Sequence, residues 1–376
     1  MQQRPSKKVI APGTALHEPS NHYNAKTGAS GKKSDKLRMI LAFIMGGFFF
    51  WIMSALFSST KTTAYVGQLR LEGGGHTHPA VKEPTICLSF GSPEMRKPAF
   101  PGHSNCLLYT EPSIAIGDLK VKLVGKPEDG RCVFHKGCKP PHAKYDEHLR
   151  QYGSDWPPTG YTMVGKERLE NFRAAVEEVN RRGILGSIAE FGVWRGGAMV
   201  MAANVEKEYL ELSGEQRPPR HLYLFDAYEN TGQYDVASDF LGVTLEKVQA
   251  NFNEYVVGYD ADKIHYVKGL FDKSVKRWVD VPRDSEENTI AVFRLDCNFY
   301  SCYQDVMYAL YENVPVGGIV IWDDVISYKS VNQFWQDFKS DYNLQEEFVQ
   351  IDTNGGWFRK EQDIKLDHSK KRVVTG

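Results

Sequence analysis

Apolar residues follow two different spacings in the chain after about Asp155. Leu169, Phe172, Val176 and Val179 recur every three or four positions, which predicts an amphipathic helix. Short apolar runs come next, and further helical patterns separate most of them. The runs are SIAEFGV, LYLFD, IHYV, TIAVFRLD, GGIVIWDD and EEFVQID. The helical patterns lie at about 198–212, 243–256, 301–313 and 329–340.

Strands that alternate with helices are typical of a doubly wound α/β fold, in which helices cover both faces of a mostly parallel sheet. The six runs and the segment GGWFRK predict a seven-stranded sheet, with GGWFRK as an antiparallel edge strand. In such sheets ligands bind beyond the carboxyl ends of the strands. The residues that directly follow each run are therefore candidates for a functional site.

The residues before this region have a different pattern. Residues 39–57 carry no charge and are long enough, as a helix, to cross a hydrocarbon layer of about 30 Å. Residues 1–38 carry eight Lys or Arg against two acids, which predicts a disordered basic tail in the cytosol. The remainder would then lie in the lumen of the ER or Golgi, as in a single-pass type II membrane protein. A buried core helix and a cleaved signal peptide are the alternatives for 39–57.

Composition and charge divide the chain further. A stem at 58–150 is dense in Pro, Gly and charge, and an enzyme domain is expected at 151–376. The whole chain has 46 basic and 47 acidic residues, so no global field favours nucleic acid as a partner. The sequence leaves a homo-oligomer open.

Four of the six cysteines lie in the stem, where two disulfides would stabilise a segment with little core of its own. Three connectivities are open. The alternative is a zinc site that includes Cys132, His135 and Cys138. Cys297 and Cys302 are expected to remain thiols. The stem cysteines are Cys87, Cys106, Cys132 and Cys138.

Glycines and acids follow the predicted strands. Gly192 lies near the end of the first run, and Gly196 and Gly197 follow it; the absence of a Cβ at these positions lets the backbone approach a ligand. A side chain at Gly196 is expected to occupy the space of that ligand. Asp226 ends the second run and could bind a ribose diol or cap a helix.

Three further carboxylates, Asp296, Asp323 and Asp324, end the fourth and fifth runs. Carboxylates at neighbouring strand ends repel each other unless a cation lies among them, and oxygen ligands suit Mg²⁺. These positions predict a magnesium site. The alternative is that the three side chains cap helices.

These segments together resemble the macrocin O-methyltransferase family, which methylates sugar hydroxyls with S-adenosylmethionine and magnesium. The resemblance covers about residues 155–360 and implies a Rossmann-like class I methyltransferase fold. The matching segments are Tyr161–Gly165 with Arg168 and Leu169, Glu190–Gly197, Asp226, Arg294–Asp296 with Tyr300, Gly317 and Gly318, Asp323 and Asp324, and Ile351, Asp352 and Gly355.

The resemblance implies a role for each matching residue. Asp296, Asp323 and Asp324 would bind magnesium, and Asp296 and Asn298 would lie at the catalytic centre, with a sugar or glycan hydroxyl as acceptor. The cofactor-binding set would be Thr162, Met163, Glu190, Gly192, Val193, Trp194, Arg195, Gly196, Asp226 and Gly269.

One position departs from the family pattern. Relatives have an acid, proposed as general base, two residues after the first metal aspartate, whereas this chain has Asn298. An amide cannot take up a proton at neutral pH, so metal activation or another group must serve, or activity is lost. The alternatives are therefore a catalytically silent binding protein and, because of the type II topology and acidic site, a lumenal glycosyltransferase.

Overall fold

Seven strands form one sheet in the order β3-β2-β1-β4-β5-β7-β6. The computed structural model describes Cys87 and residues 106–133, 137–231, 238–280 and 286–373, all within a unit that spans Val66–Gly376. The strands are β1 (Ser187–Phe191), β2 (Leu222–Asp226), β3 (Ile264–Lys268), β4 (Ile290–Leu295), β5 (Ile319–Trp322), β6 (Val349–Gln350) and β7 (Gly356–Arg359).

The first five strands are parallel, and β7 runs antiparallel to both β5 and β6. The predicted mostly parallel seven-stranded sheet is therefore confirmed. The expected position of GGWFRK is wrong, because β7 lies between β5 and β6 and all four of its residues are buried. The two-residue strand β6, which is half-buried, forms the edge instead.

Helices connect the parallel strands. The predicted amphipathic helix corresponds to α3, which begins at Lys166 and ends at Arg181, just before Gly183. The helices are α1 (Ile114–Leu123), α2 (Glu147–Tyr152), α3 (Lys166–Arg181), α4 (Gly197–Ser213), α5 (Ser238–Leu241), α6 (Leu245–Tyr255), α7 (Phe271–Val279), α8 (Tyr300–Leu310) and α9 (Lys329–Tyr342).

Alternate residues of the central strand belong to different apolar layers. Ile188 packs in a cluster with α3, α4 and α6, whereas Ala189 packs in a second cluster with α7, α8 and α9. Both faces of the sheet are therefore covered by helices, as expected for a doubly wound fold. This arrangement leaves the strand ends as the place where polar side chains can gather.

The packed core begins before residue 151. Leu107, Ile116 and Leu123 are buried in the same cluster as Ile188, and α1 packs against α4. The second half of the region assigned to the stem is thus part of the folded domain. No helix in the described part of the chain is long and apolar enough to cross a membrane. The tail at 1–38 and the span predicted at 39–57 lie outside the described residues.

All six cysteines form disulfides. Cys87 bonds to Cys106 and Cys132 bonds to Cys138, so the sulfurs of the second pair are not free to bind zinc; His135 lies outside the described residues. The expectation that Cys297 and Cys302 remain thiols is wrong. Cys297 follows β4 and Cys302 lies in the first turn of α8, and the bend between them brings their Cα atoms to 6.5 Å.

Candidate active site

A cavity of about 430 Å³ opens at the carboxyl ends of β1, β2, β3 and β4. We call it the acidic cavity because no Lys, Arg or His of the described residues lines it, whereas six carboxylates do. Those acids are Glu190, Asp226, Glu229, Asp272, Asp296 and Asp305. Most of the predicted site residues also line it. They are Thr162, Met163, Glu190, Gly192, Val193, Trp194, Asp226, Gly269, Asp296 and Asn298.

The turn after β1 comes very close to the end of β4. Gly192 has a φ of +98°, and a Cβ there would overlap the carbonyl oxygen of Asp296. The backbone therefore needs glycine at this position for both its conformation and its space. As a result, the β1 turn and Asp296 share one wall of the acidic cavity.

Two residues expected to contact the cofactor lie elsewhere. Gly196, with a φ of +85°, caps α4, and a Cβ there would lie 3.0 Å from Val248 and 3.2 Å from Phe252 of α6. Neither Gly196 nor Arg195 lines the acidic cavity. Within the protein, the nearest neighbours of a side chain at Gly196 would therefore belong to α6, and the contact of Arg195 and Gly196 with the cofactor stays a prediction.

Asp226 holds the β1 turn in place. Its Oδ2 accepts hydrogen bonds from the backbone N–H groups of Val193 (2.7 Å) and Trp194 (3.0 Å), and its Oδ1 accepts one from Tyr228 (3.0 Å). The side chain also lines the acidic cavity. A role in ordering the turn therefore accompanies the predicted role in binding a ribose.

Beneath the cavity, two buried arginines hold four acids. Arg294, on β4, pairs with Glu190, with Asp296 at 3.0 Å and with Asp323. Arg168, on α3, pairs with Asp323 and, at 2.8 Å, with Asp352. Asp323 thus lies between the two guanidinium groups and is fixed by both.

The carboxylates of Asp296, Asp323 and Asp324 come together as predicted, with their ligand atoms within 4.8 Å of one another. Burial and the neighbouring Asp323 raise the pKa of Asp296 to about 6, and the same causes raise the pKa of Asp324 well above its ordinary value. Counting Glu190 and Asp352, five carboxylates face two guanidinium groups. A divalent cation would relieve this excess of negative charge, and hard oxygen donors suit Mg²⁺.

Glu190 contributes an unpaired acceptor. Its Oε1 accepts from Arg294, but its Oε2 is buried without a hydrogen-bond partner among the described residues. Burial raises the pKa of Glu190 to about 8, although Arg294 opposes the shift. Because an unpartnered buried oxygen is costly, this atom at the cavity wall suits a cationic or N–H-bearing ligand.

Sequence reasoning gave no role to Arg168, Arg294 or Asp352, although it noted all three. A signal for Arg294 is its position inside the apolar run of β4, where all six residues are buried. A buried guanidinium needs acidic partners, and the acids at the neighbouring strand ends supply them. The acidic partners of Arg168, Asp323 and Asp352, lie 155 and 184 positions away, and local pattern does not reveal pairs of that separation.

The sequence matches a known family and several characterised proteins. Residues 134–360 match the family model described as Macrocin-O-methyltransferase (TylF). The demethyldecarbamoylnovobiocin O-methyltransferase of Streptomyces niveus is 29% identical over 229 residues, which cover 57% of this chain and 82% of that protein. For the mycinamicin III 3''-O-methyltransferase of Micromonospora griseorubida the identity is 29% over 228 residues, covering 58% and 85%.

A solved structure adds the fold. The O-methyltransferase NovP superposes with a TM-score of 0.56 at 25% identity and covers 66% of this chain and 99% of its own. The family match spans more than half of the chain and includes β1 to β7 with the acidic cavity. The chain therefore belongs to the macrocin-O-methyltransferase (TylF) family and is an S-adenosylmethionine-dependent O-methyltransferase.

Proposed function

We propose that this enzyme methylates a hydroxyl of a sugar, as part of a glycan or glycoside, with a divalent cation bound by Asp296, Asp323 and Asp324. The observation that carries the proposal is the acidic cavity, where the glycine turn after β1 adjoins Asp296. Asp323 and Asp324 do not line this cavity, but their carboxylates lie within 4.8 Å of that of Asp296. Two relatives support a sugar acceptor by their names: the mycinamicin III 3''-O-methyltransferase and a methyltransferase of Streptomyces olivaceus that acts on a dimethoxyrhamnosyl tetracenomycin.

The cofactor end is assigned to the β1 side of the cavity. Glu190 Oε2, buried and unpaired, is suited to accept a hydrogen bond from the ammonium group of S-adenosylmethionine. Asp226 is suited to bind the ribose while it holds the amides of Val193 and Trp194. The six carboxylates that line the cavity also favour the positive charge of the cofactor's sulfonium.

The acceptor end is assigned to the wall formed by Asp296, Asn298 and the loop that follows β4. A bound divalent cation would lower the pKa of the acceptor hydroxyl, an activation that Asn298 cannot supply as a base. Arg168 and Arg294 fix Asp323 from below, so that its carboxylate keeps one orientation.

The location is proposed to be lumenal, with residues 39–57 as the anchor. Three disulfides join described cysteines, and such bonds persist mainly in oxidising compartments. Protease added to intact microsomes should then spare the enzyme domain. Digestion without detergent would contradict the orientation.

Membership in a methyltransferase family removes the glycosyltransferase alternative. The decisive experiment is a methyl-transfer assay of the full-length protein in detergent, with labelled S-adenosylmethionine and a panel of sugars and glycosides. We expect transfer to at least one sugar hydroxyl, and its loss when EDTA is in excess while cofactor binding stays largely intact. Full activity in excess chelator would remove the metal from the proposal.

A second arm tests the departure at Asn298. Because this side chain lines the acidic cavity beside Asp296, Asn298→Asp should raise the rate or move the pH optimum downward. A wild-type protein that binds cofactor without turnover, and gains turnover only with Asn298→Asp, would instead identify a silent binding protein.

A further inference from the structure

A second cavity, of about 450 Å³, lies beside the acidic cavity and shares Gly242 with it. We call it the basic cavity because Arg195 and Lys247 line it, whereas no Asp or Glu of the described residues does. One wall is the loop at 158–161, before α3, and the other is the start of α6. The volume is large enough for a monosaccharide rather than a single ion.

Arg195 has a fixed position in this cavity. Its Nη1 donates to the carbonyl oxygens of Pro158 (3.0 Å) and Gly160 (2.7 Å). The guanidinium carbon lies 4.2 Å from the centroid of the Trp194 ring and 5.1 Å from that of Phe240. Carbonyl groups and ring faces orient the guanidinium, but they carry no full negative charge to match it.

Arg195 has no acidic partner in the part of the chain that the structure describes. Lys247 likewise forms no ion pair with any described residue. Partial burial lowers the pKa of Arg195 to about 10. A half-buried cation without an acidic partner is unfavourable unless a ligand supplies the anion.

Lys247 adds a second positive charge from α6. Its side chain is exposed, and the N-terminal end of this 11-residue helix faces the same cavity through Thr244. Glu246, in the same turn, does not line the cavity, but its carboxylate forms a hydrogen bond with Thr244. Lys247 therefore places a second full positive charge beside that of Arg195 in this cavity.

We propose that the basic cavity binds an oxyanion group of the acceptor, such as the carboxylate of a uronic acid or a sulfate or phosphate ester, next to the sugar that is methylated. This rests on the proposed sugar acceptor. The shared Gly242 lets one extended ligand contact both cavities. The acidic cavity repels such a group, so the anionic part of the acceptor is directed towards Arg195 and Lys247.

The test is equilibrium binding of D-glucuronate to the full-length protein in detergent, measured by calorimetry with saturating S-adenosylhomocysteine at constant ionic strength. Inorganic sulfate and neutral D-glucose serve as parallel probes. We expect glucuronate to bind more tightly than glucose, and Lys247→Glu to weaken glucuronate binding at least about fivefold. Lys207→Glu, on α4, makes the same charge change near the other end of α6 and should have no effect.

The remaining outcomes are informative as well. Arg195→Lys keeps the charge but loses the planar fork, so it should weaken glucuronate binding and leave the fold intact. Sulfate that binds as tightly as glucuronate would indicate a site for any oxyanion, whereas glucuronate alone would indicate a uronic acid. Equal binding by wild type, Lys247→Glu and Lys207→Glu would overturn the proposal.

Weaker binding of S-adenosylmethionine to Lys247→Glu, with competition between cofactor and glucuronate, would also overturn it, because the anion would then be the cofactor's own carboxylate. None of these measurements needs turnover. A failure to methylate any sugar would therefore count against the proposed function without deciding the fate of the anion site.

Discussion

The acidic cavity and the basic cavity share Gly242, but their charged groups have different partners within the protein. Two acids of the first, Glu190 and Asp296, pair with the buried side chain of Arg294. Arg195 of the second is oriented by carbonyl groups and aromatic rings. These two acids of the acidic cavity are thus paired with a cation of the core, whereas the charge of Arg195 is available to a ligand.

The largest expected effect is on stability. Arg294→Met leaves Glu190, Asp296 and Asp323 without their shared cation, and breaking a buried ion pair costs about 3–5 kcal/mol. Arg195→Met removes two hydrogen bonds but leaves no buried acid, so its cost should be about 1–3 kcal/mol. The measurement is the free energy of unfolding in urea for both variants. Equal losses would contradict the distinction between the two cavities.

Substitution of the two glycines that flank the β1 turn should weaken cofactor binding to different extents, with the larger loss at Gly192, which lines the acidic cavity. Gly192→Ala places a Cβ against the backbone carbonyl of Asp296, which cannot move aside easily. Gly196→Ala meets only the side chains of Val248 and Phe252 on α6, although its positive φ still adds strain. We expect the first change to weaken S-adenosylmethionine binding at least about 100-fold and the second less than about 10-fold.

Calorimetry with purified, folded variants measures these affinities, and circular dichroism provides the control for folding. A stronger loss of cofactor binding in Gly196→Ala than in Gly192→Ala would support the direct ligand contact that the sequence predicts for Gly196.

A smaller effect is expected at Asp226, which orders the turn between the two cavities. Asp226→Ala should weaken S-adenosylmethionine binding by about 1–3 kcal/mol, the usual range for hydrogen bonds to a charged group. Asp226→Asn keeps one acceptor for the N–H groups of Val193 and Trp194 and should lose less. Hydrogen exchange at these two amides separates the ordering of the turn from direct contact with the cofactor. If their protection is unchanged in Asp226→Ala, the side chain does not order the turn and acts only by contacting the cofactor.

Most of the sheet could be predicted from the chain because strands and helices differ in apolar spacing. The runs ending in Asp226, Asp296 and Asp324 became β2, β4 and β5, and the parallel topology brought their acids to one edge. The order of the last two strands could not be predicted in this way. Both β6 and β7 are short, and their order depends on which one pairs with β5.

The site was predicted less completely than the fold. A motif shows which residues lie in a turn but not the direction of each side chain. Arg195, predicted at the cofactor, lines the basic cavity, and Gly196 lies against α6. The pairing of Arg168 with Asp352 joins residues far apart in the sequence. Cys297 and Cys302 illustrate the same limit, since their contact depends on the bend between β4 and α8.

Beside each cavity a disulfide closes a short loop, and removal of these bonds is expected to have the smallest effects. Cys297 and Cys302 both line the acidic cavity and enclose Asn298 and Phe299 between them. Cys132 packs against Trp194 and Phe240, the rings that orient Arg195, and its partner is Cys138.

The paired changes Cys297→Ser with Cys302→Ser, and Cys132→Ser with Cys138→Ser, open loops of similar length, because the bonded residues are five and six positions apart. The losses of stability should therefore be alike. The first pair should raise the KM for the sugar acceptor about threefold to tenfold, with little change in cofactor affinity, because the wall that holds Asn298 becomes less ordered. The second pair should leave that KM unchanged and weaken glucuronate binding instead. If both pairs raise the KM equally, the loop after β4 has no special part in positioning the acceptor, and the loss reflects stability alone.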